Sequence, residues 1–180
     1  DNSELRKLFS EFEFSSLLAE LGDDAGLSSP AIESHYETIL IEADLERWIE
    51  QIKKSEIFAL DLETTSLHPV QARIVGISLS CEAGVACYIP LAHRYLGVPE
   101  QLDLDLVLKK LKPLLEDPKL KKVGQNIKYD LIVLRNEGVN IVGVAFDTML
   151  ASYILNPSGR RHNMDDMARD YLGHTTTKYK

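Results

Sequence analysis

The chain has 180 residues, of which 44% are hydrophobic and 27% are charged, and its net charge is −8 at pH 7. This length fits one domain with a small appendage, and the composition is typical of a folded globular protein rather than a disordered one. No apolar run reaches the ~20 residues that cross a bilayer, no signal-peptide pattern begins the chain, and the acidic balance argues against a protein that coats nucleic acid. We therefore expect no membrane partner.

The first part of the chain differs in character from the rest. Leucine and phenylalanine recur at helical spacing over residues 1–21, which predicts a helical segment before the main core. Residues 22–35 contain a small, polar stretch rich in Gly, Ser and Asp, which is typical of a linker. Residues 36–180 then form the predicted main domain.

Alternating patterns in residues 36–180 predict strands and helices in a definite order. The strands are predicted at 36–41, 57–62, 73–80, 85–89, 120–124 and 139–146, and the helices at 45–54, 104–115, 127–137, 148–155 and 164–172. Asp44 is the predicted N-cap of the first of these helices, and Gly84 the hairpin residue with positive φ. We expect an α/β fold whose mixed sheet has a three-strand antiparallel meander, then alternating helices and strands, with helices on both faces.

The two cysteines, Cys81 and Cys87, flank the predicted hairpin turn. A disulfide is one reading of this pair, and two reduced core thiols in a cytoplasmic protein are the favoured one. No Cys/His spacing is typical of a zinc site.

Two acids stand where the predicted strand 57–62 ends. Asp61 and Glu63 are two residues apart, so their side chains share one face of an extended strand. Two neighbouring carboxylates repel each other when they lose hydration, and a divalent cation would compensate them. The alternative is a solvated strand end.

A second polar group lies between the predicted strand 120–124 and the helix after it. Asn126 and Asp130 are four residues apart and share a helix face near its N-terminus. Alone this is a routine helix start, but both groups lie at strand ends of one α/β sheet, where such sheets place their sites. Three carboxylates are therefore predicted to converge.

Several segments resemble the 3′→5′ proofreading exonuclease domain of bacterial DNA polymerase I. They are residues 61–67, 88–93, 111–117, 122–130 and 146–155, and the resemblance extends roughly over residues 36–174. It implies an RNase H-like exonuclease fold of the DEDD type. Residues 1–21 resemble the helical end of the preceding 5′-nuclease domain.

The resemblance implies two-metal-ion hydrolysis of the 3′-terminal phosphodiester of DNA. Asp61, Glu63 and Asp130 match the first two motifs and are the implied catalytic residues and metal ligands. Asp61 would bridge two Mg²⁺ or Mn²⁺ ions, with Zn²⁺ as an alternative at one site, while Glu63 holds the ion on the nucleophile side and Asp130 the other. The implied substrate-binding residues are Thr64 and Leu67 at the terminal nucleotide, and Gln125, Asn126, Tyr129 and Arg161 along the single-strand path.

The third motif of that family, Tyr-x-x-x-Asp, does not occur in this chain, since Tyr153 is followed at that spacing by Pro157 and Tyr171 by Thr175. We therefore expect the domain to be C-terminally incomplete at Lys180 and the 180 residues alone to show little or no nuclease activity. The implied partners are the 3′ end of single-stranded DNA and the polymerase and 5′-nuclease domains of the same parent chain. The implied setting is a monomer in the bacterial cytoplasm, associated with the nucleoid.

Other readings stay open. The chain could be a catalytically silent domain that scaffolds or binds single strands, or an RNA-trimming exonuclease of the same fold. Asp147 is interpreted as an N-cap, with an active-site role as the alternative. His68 and His93 are interpreted as surface or loop hydrogen-bonding residues. A lysine-rich set is interpreted as a solvated face rather than a DNA-binding patch, and comprises Lys109, Lys110, Lys112, Lys119, Lys121 and Lys122.

Overall fold

A six-stranded mixed sheet is the centre of the part of the chain that the computed structural model describes, namely residues 2–12, 14, 17–18, 21, 34–158 and 161–176. The strands are β1 (His35–Thr38), β2 (Ile57–Thr64), β3 (Ile74–Glu82), β4 (Val85–Pro90), β5 (Lys121–Gly124) and β6 (Val144–Asp147). The helices are α1 (Asn2–Glu11), α2 (Glu42–Lys54), α3 (Leu104–Leu115), α4 (Ile127–Asn136), α5 (Thr148–Leu155) and α6 (Met164–Leu172).

The sheet order is β1-β4-β3-β2-β5-β6. Strands β2, β3 and β4 form the predicted antiparallel meander, and β5 and β6 add to β2 in parallel. Strand β1 pairs in parallel with β4 at the far edge. The carboxyl ends of β2, β5 and β6 therefore meet at one edge of the sheet.

One face of β2 packs into the core. Phe58, Leu60 and Leu62 alternate along this face, with exposures of 2%, 2% and 7%. Trp48 of α2 and Leu111 of α3 belong to the same buried cluster. Burial of this apolar face fixes the register of β2, since a shift of one residue would turn Asp61 into the core.

Most predicted elements are confirmed, including the bounds of α3, α5 and α6, and three details differ. Helix α2 begins at Glu42 with Ile41 as its N-cap, so Asp44 was wrong as the cap and lies in the first turn, where it pairs with Arg47. The predicted strand 139–146 is wrong over its first part, because Gly143 has φ of 74° and strand β6 begins only after it. A positive φ of this size interrupts an extended strand.

The third difference is β1, which is shorter than predicted and ends at Thr38. The hairpin prediction is confirmed: Gly84 has φ of 80° between β3 and β4. Cys81 and Cys87 are free thiols, and burial raises the pKa of Cys87 to about 12.

Helix α1 has no buried residue, in keeping with a segment outside the main core. The predicted linker lies outside the described residues over positions 22–33, so this domain division stays a prediction. Among the described residues, no helix combines the length and the apolar character needed to cross a membrane.

Candidate active site

Strand β2 holds the first two acids of the site. Asp61 and Glu63 lie on the face of β2 opposite Phe58 and Leu60, with Asp61 half-buried and Glu63 exposed. The pairing of β2 with β3 shifts register between Glu63 and Thr64, at the end of the strand. The alternation that buries the apolar residues of β2 therefore presents both acids together, as the sequence predicted.

The turn between β5 and α4 supplies the third acid. Strand β5 runs parallel to β2, with Ala59 opposite Val123, so both strands end at the same edge. Asp130 lies in the first turn of α4 and is only 2% exposed, and the backbone N–H of Leu62 is near enough to its carboxylate to lower its pKa. Its carboxylate therefore lies close to the end of β2.

The surroundings of Asp61 and Asp130 disfavour ionisation of both carboxyl groups. Burial, with a further contribution from the Glu63 charge, raises the pKa of Asp61 to about 6. Burial and then the Asp61 charge raise the pKa of Asp130 to about 7, although backbone N–H groups of Leu62 and of Asp130 itself act in the opposite direction. Neither these two acids nor Glu63 forms an ion pair with a described residue.

This donor set suits a hard cation. Carboxylate oxygens are ligands that Mg²⁺ and Mn²⁺ take, and a cation would relieve the repulsion that raises both pKa values. The acids interact as two pairs that share Asp61, namely Asp61 with Glu63 and Asp61 with Asp130. Within the described part of the chain, no three His, Cys, Asp or Glu side chains form a ready-made metal cluster. The ligand assignment of the three acids stays a prediction.

Three of the predicted substrate-binding residues lie around one cavity next to Glu63. The hydroxyl of Tyr129 donates to the carbonyl of Ser66 and lies 2.5 Å from Oγ1 of Thr64. Leu67 is 93% exposed at the rim. The cavity has a volume of about 430 Å³ and is lined by Leu62, Glu63, Thr64, Thr65, Ser66, Leu67 and Tyr129.

The other three predicted substrate-binding residues have different surroundings. Gln125 is engaged at both ends of its amide: Nε2 donates to the carbonyl of His162 at 2.9 Å, and Oε1 accepts from the Thr148 hydroxyl. Asn126 is the N-cap of α4 and makes no side-chain capping bond. Arg161 lies in a separate cavity of about 510 Å³ and faces Asp166 at 4.0 Å.

Two features of the site were not predicted. Asp147 is the N-cap of α5, as interpreted from the sequence, but its carboxylate also accepts N–H bonds from the start of α4. His162 is buried, with Nδ1 bonded to the Ser152 hydroxyl at 2.9 Å and Nε2 without a partner. The sequence gives only a weak indication of these contacts, because Asp147 and His162 each contact a segment that is distant in the chain and is brought near only by the fold.

The remaining polar residues agree with the favoured interpretations except for Lys122, which was wrongly placed on a solvated face. Nε2 of His93 hydrogen-bonds to the Tyr88 hydroxyl. His68 is exposed, and its backbone N–H donates to the Ser66 hydroxyl. Lys110 pairs with Glu42 and Glu46, each at 2.7 Å. Lys122 is fully buried and donates to the carbonyl of Asp117 at 2.6 Å. At least these two lysines are therefore not available to a DNA-binding patch.

Comparison with known proteins gives a consistent assignment. A family model described as 3′-5′ exonuclease matches residues 36–180. The DNA polymerase I of Pseudomonas aeruginosa is 45% identical over 183 residues, which cover 96% of this chain and 20% of that protein. The chain thus spans about a fifth of the length of this relative.

Solved structures agree in fold. The POL domain of Pol1 from M. smegmatis, in complex with DNA primer–template and dNTP, aligns with a TM-score of 0.63 at 22% identity over 78% of this chain and 23% of that one. Brucella melitensis NrnC with bound Mg²⁺ aligns with a TM-score of 0.55 at 19% identity over 83% of this chain and 66% of that one. Together with the family match, these likenesses confirm the RNase H-like exonuclease fold. The chain belongs to the 3′-5′ exonuclease domain family of bacterial DNA polymerase I.

Proposed function

We propose that this domain removes nucleotides from the 3′ end of DNA for an attached polymerase, by metal-dependent hydrolysis of the terminal phosphodiester. One observation supports this most directly: Asp61 and Asp130 lie at the meeting point of β2 and α4, neither forms an ion pair with a residue that the structure describes, and each has a raised pKa. Such a pair favours a cation, and it lies next to a cavity with an exposed leucine at its rim.

In this proposal the three acids hold two divalent ions. Asp61 would be a ligand of both ions, Glu63 of the ion on the side of the attacking water, and Asp130 of the other ion through water. Two such ions would stabilise charge on the attacking and leaving oxygens and supply hydroxide at neutral pH. Mg²⁺ or Mn²⁺ is the proposed occupant, with Zn²⁺ as an alternative at one site, since all three acids supply oxygen ligands.

The cavity residues would hold the terminal nucleotide. Leu67 offers an apolar surface for the base, and Thr64 and Tyr129 present hydroxyl groups next to Glu63. The bond from Tyr129 to Ser66 keeps the segment after β2 in place. Asn126 and Arg161 are proposed to contact the strand further along, while Gln125 would act mainly by holding the segment that contains His162.

The proposed partners follow from the family. Polymerase and 5′-nuclease domains in the same parent chain would deliver a single-stranded 3′ end to this site. We further propose that the parent chain is a monomer and acts in the bacterial cytoplasm, near the nucleoid.

The test uses the full-length gene product under single-turnover conditions with a 3′-labelled DNA strand. Asp61→Asn and Asp130→Asn should each reduce Mg²⁺-dependent release of the 3′ nucleotide by at least about 100-fold, because each removes a charge that the reaction needs. Asp103→Asn is the matched control, since Asp103 caps α3 and is not one of the three acids.

Three outcomes contradict the proposal. Equal rates for wild type and Asp61→Asn would indicate a silent domain that only binds strands. Faster release from an RNA strand than from DNA would indicate an RNA-trimming enzyme. Release from the 5′ end of a doubly labelled strand would exclude the proposed polarity.

A further inference from the structure

Asp147 joins the starts of two helices. Its Oδ1 accepts N–H bonds from Leu150 of α5 at 3.1 Å and from Asn126 at 3.2 Å, and its Oδ2 accepts from Ile127 of α4 at 2.9 Å. An ordinary N-cap side chain satisfies N–H groups of its own helix only. Here one carboxylate caps its own helix and also a helix that begins twenty residues earlier in the chain.

The turn that leads into α4 depends on this outside cap. Asn126 has φ of 54° and ψ of 41°, and it is the one non-glycine residue with positive φ among those the structure describes. The left-handed conformation is tolerated by Asn but remains less favourable than ordinary backbone. Asn126 provides no capping bond from its own side chain. The N–H groups of Asn126 and Ile127, which a side-chain cap from Asn126 would not reach, donate to Asp147.

Other contacts hold the same two junctions together. Gly124, the last residue of β5, is in register with Asp147, the last residue of β6. The hydroxyl of Thr148 lies 3.3 Å from the carbonyl of Gly124 and also bonds to Gln125. The ends of β5 and β6 thus form one unit, which is joined to α4 by the two residues Gln125 and Asn126 and by the bonds of the Asp147 carboxylate.

Asp130 lies three residues after Ile127, on the first turn of α4. Its carboxylate must reach the end of β2, where the backbone N–H of Leu62 lies near it. We infer that Asp147 is a positioning residue for Asp130: it fixes the left-handed turn at Asn126 and thereby sets the distance between Asp130 and Asp61. This inference rests on the proposed function, because it concerns the same metal-binding acids.

Positioning by hydrogen bonds is distinguishable from an effect of charge. Asp147→Asn removes the negative charge and keeps one oxygen, which can still accept the two bonds now made to Oδ1, but it sets an NH2 donor against the N–H of Ile127 and so loses the bond now made to Oδ2. Asp147→Ala removes the charge and all three bonds. If Asp147 acts through its bonds, Asn will retain much of the function that Ala loses; if it acts through its charge, both variants will behave alike.

The experiment compares Asp147→Ala and Asp147→Asn in the full-length gene product, with Asp103→Ala as the matched control. Asp103 is also an N-cap, and it accepts one N–H bond, from Leu106 at 3.0 Å, at the start of α3. The readouts are Mn²⁺ affinity, measured by electron paramagnetic resonance, and kcat and KM for a 3′-labelled strand. Only the Mn²⁺ sites that are absent from Asp61→Asn are included in the affinity. Thermal unfolding is recorded for every variant.

We expect Asp147→Ala to weaken Mn²⁺ binding and lower kcat by about 10–100-fold each, the usual cost of removing a group that orients metal ligands. KM should rise by less than kcat falls, since the nucleotide cavity near Thr64 is unchanged and only the proposed strand contact at Asn126 is disturbed. Asp147→Asn should lie closer to wild type than Asp147→Ala in both readouts. Asp103→Ala should lower the unfolding temperature but leave Mn²⁺ affinity and kcat unchanged.

Two results overturn the inference. In the first, Asp147→Ala differs from wild type only in its unfolding temperature, as Asp103→Ala does. In the second, Asp147→Asn loses as much Mn²⁺ affinity and kcat as Asp147→Ala. If Asp147→Ala does not fold, Asp147→Asn decides by itself, because it should then lose about 10-fold in Mn²⁺ affinity at a native fold, the lower end of the range for such residues. An active Asp61→Asn would instead refute the proposed function, so the two failures are distinct.

Discussion

At the scale of single residues, the site is defined by acids that burial makes costly to ionise. Asp130 is 2% exposed, and its pKa of about 7 lies far above the ordinary value of 3.8. Asp61 is shifted in the same direction, to about 6. Without a metal ion, the folded protein either protonates these side chains or holds two carboxylates that repel each other. A bound cation would stabilise both carboxylates in their ionised form.

The pH dependence of stability follows from the same shifts. Both folded-state pKa values are raised, so between about pH 4 and pH 7 the folded protein binds more protons than the unfolded chain, and the free energy of unfolding falls as pH rises through this interval. Asp130→Asn should flatten this fall in metal-free protein and raise stability above pH 7 by roughly 1–4 kcal/mol, at about 1.4 kcal/mol per pKa unit.

Urea unfolding in EDTA at a series of pH values measures this effect in the 180-residue chain. Asp105→Asn, an exposed acid in the first turn of α3, is the matched control and should keep the wild-type slope. If Asp130→Asn kept the wild-type slope as well, the raised pKa of Asp130 would be wrong.

Residue-level prediction succeeded where a local rule was enough. Alternation along β2 places Asp61 and Glu63 on one face, and this follows from their spacing alone. The second role of Asp147 did not follow, because its bonds to Asn126 and Ile127 depend on the pairing of β5 with β6. Likewise, the burial of Lys122 depends on which face of β5 meets the core.

At the scale of elements, the close approach of β5, α4 and β2 determines how near the acids are. Gly124 lies where these elements meet: a Cβ atom there would be 3.1 Å from the carbonyl oxygen of Leu60 on β2 and 3.1 Å from the side chain of Ile127 on α4. Such contacts are tighter than ordinary van der Waals distances. A Cβ atom would fit here only if a neighbour moved by a few tenths of an ångström, so glycine at this point serves close packing rather than an unusual φ.

Gly124→Ala should push β5 and α4 away from β2. We expect a loss of roughly 1–3 kcal/mol in the free energy of unfolding, as for other overpacked sites. Nuclease activity should fall further than stability alone explains, because Asp130 moves with α4. Urea unfolding and single-turnover cleavage measure the two effects.

Asn136→Ala serves as a control for the Gly124 variant, since Asn136 is at the exposed far end of α4 and bonds only to carbonyl groups of Pro69 and Val70. It should leave cleavage unchanged. If Gly124→Ala cleaved DNA and resisted unfolding as the wild type does, the packing of β5 and α4 against β2 would not be tight.

Element prediction had a similar limit. The apolar run 139–146 fits a strand by composition, but Val139 and Ile141 enter the core from a loop and β6 begins after Gly143. The reason is tertiary: a Cβ at position 143 would lie 2.9 Å from the carbonyl of Leu120, so the chain passes close to the start of β5 with positive φ. No local pattern encodes this approach.

At the scale of the whole molecule, charge opposes the substrate. The chain has 28 acidic and 20 basic residues, giving a net charge of −8, and several of the basic groups are paired or buried. Long-range attraction of a DNA strand is therefore weak for this domain alone. Under the proposed function, binding would come from cations at the acids and from short-range contacts near Leu67.

We therefore predict that binding of a 3′-hydroxyl oligonucleotide by the 180-residue chain depends on a divalent cation. In fluorescence anisotropy titrations, replacing Ca²⁺ by EDTA should weaken binding by at least about 10-fold, because Ca²⁺ takes carboxylate and phosphate oxygens together. The slope of log affinity against log salt concentration should be shallow, about −1 to −2, since few lysines neutralise phosphates.

Asp61→Asn should bind with the same weak affinity in Ca²⁺ and in EDTA, because the acid shared by both interacting pairs is lost. Asp105→Asn removes one negative charge elsewhere and should keep the full effect of Ca²⁺, which separates the site from net charge. Equal wild-type affinity in Ca²⁺ and EDTA, or a steep salt slope, would mean that a basic surface rather than the acid site holds the strand.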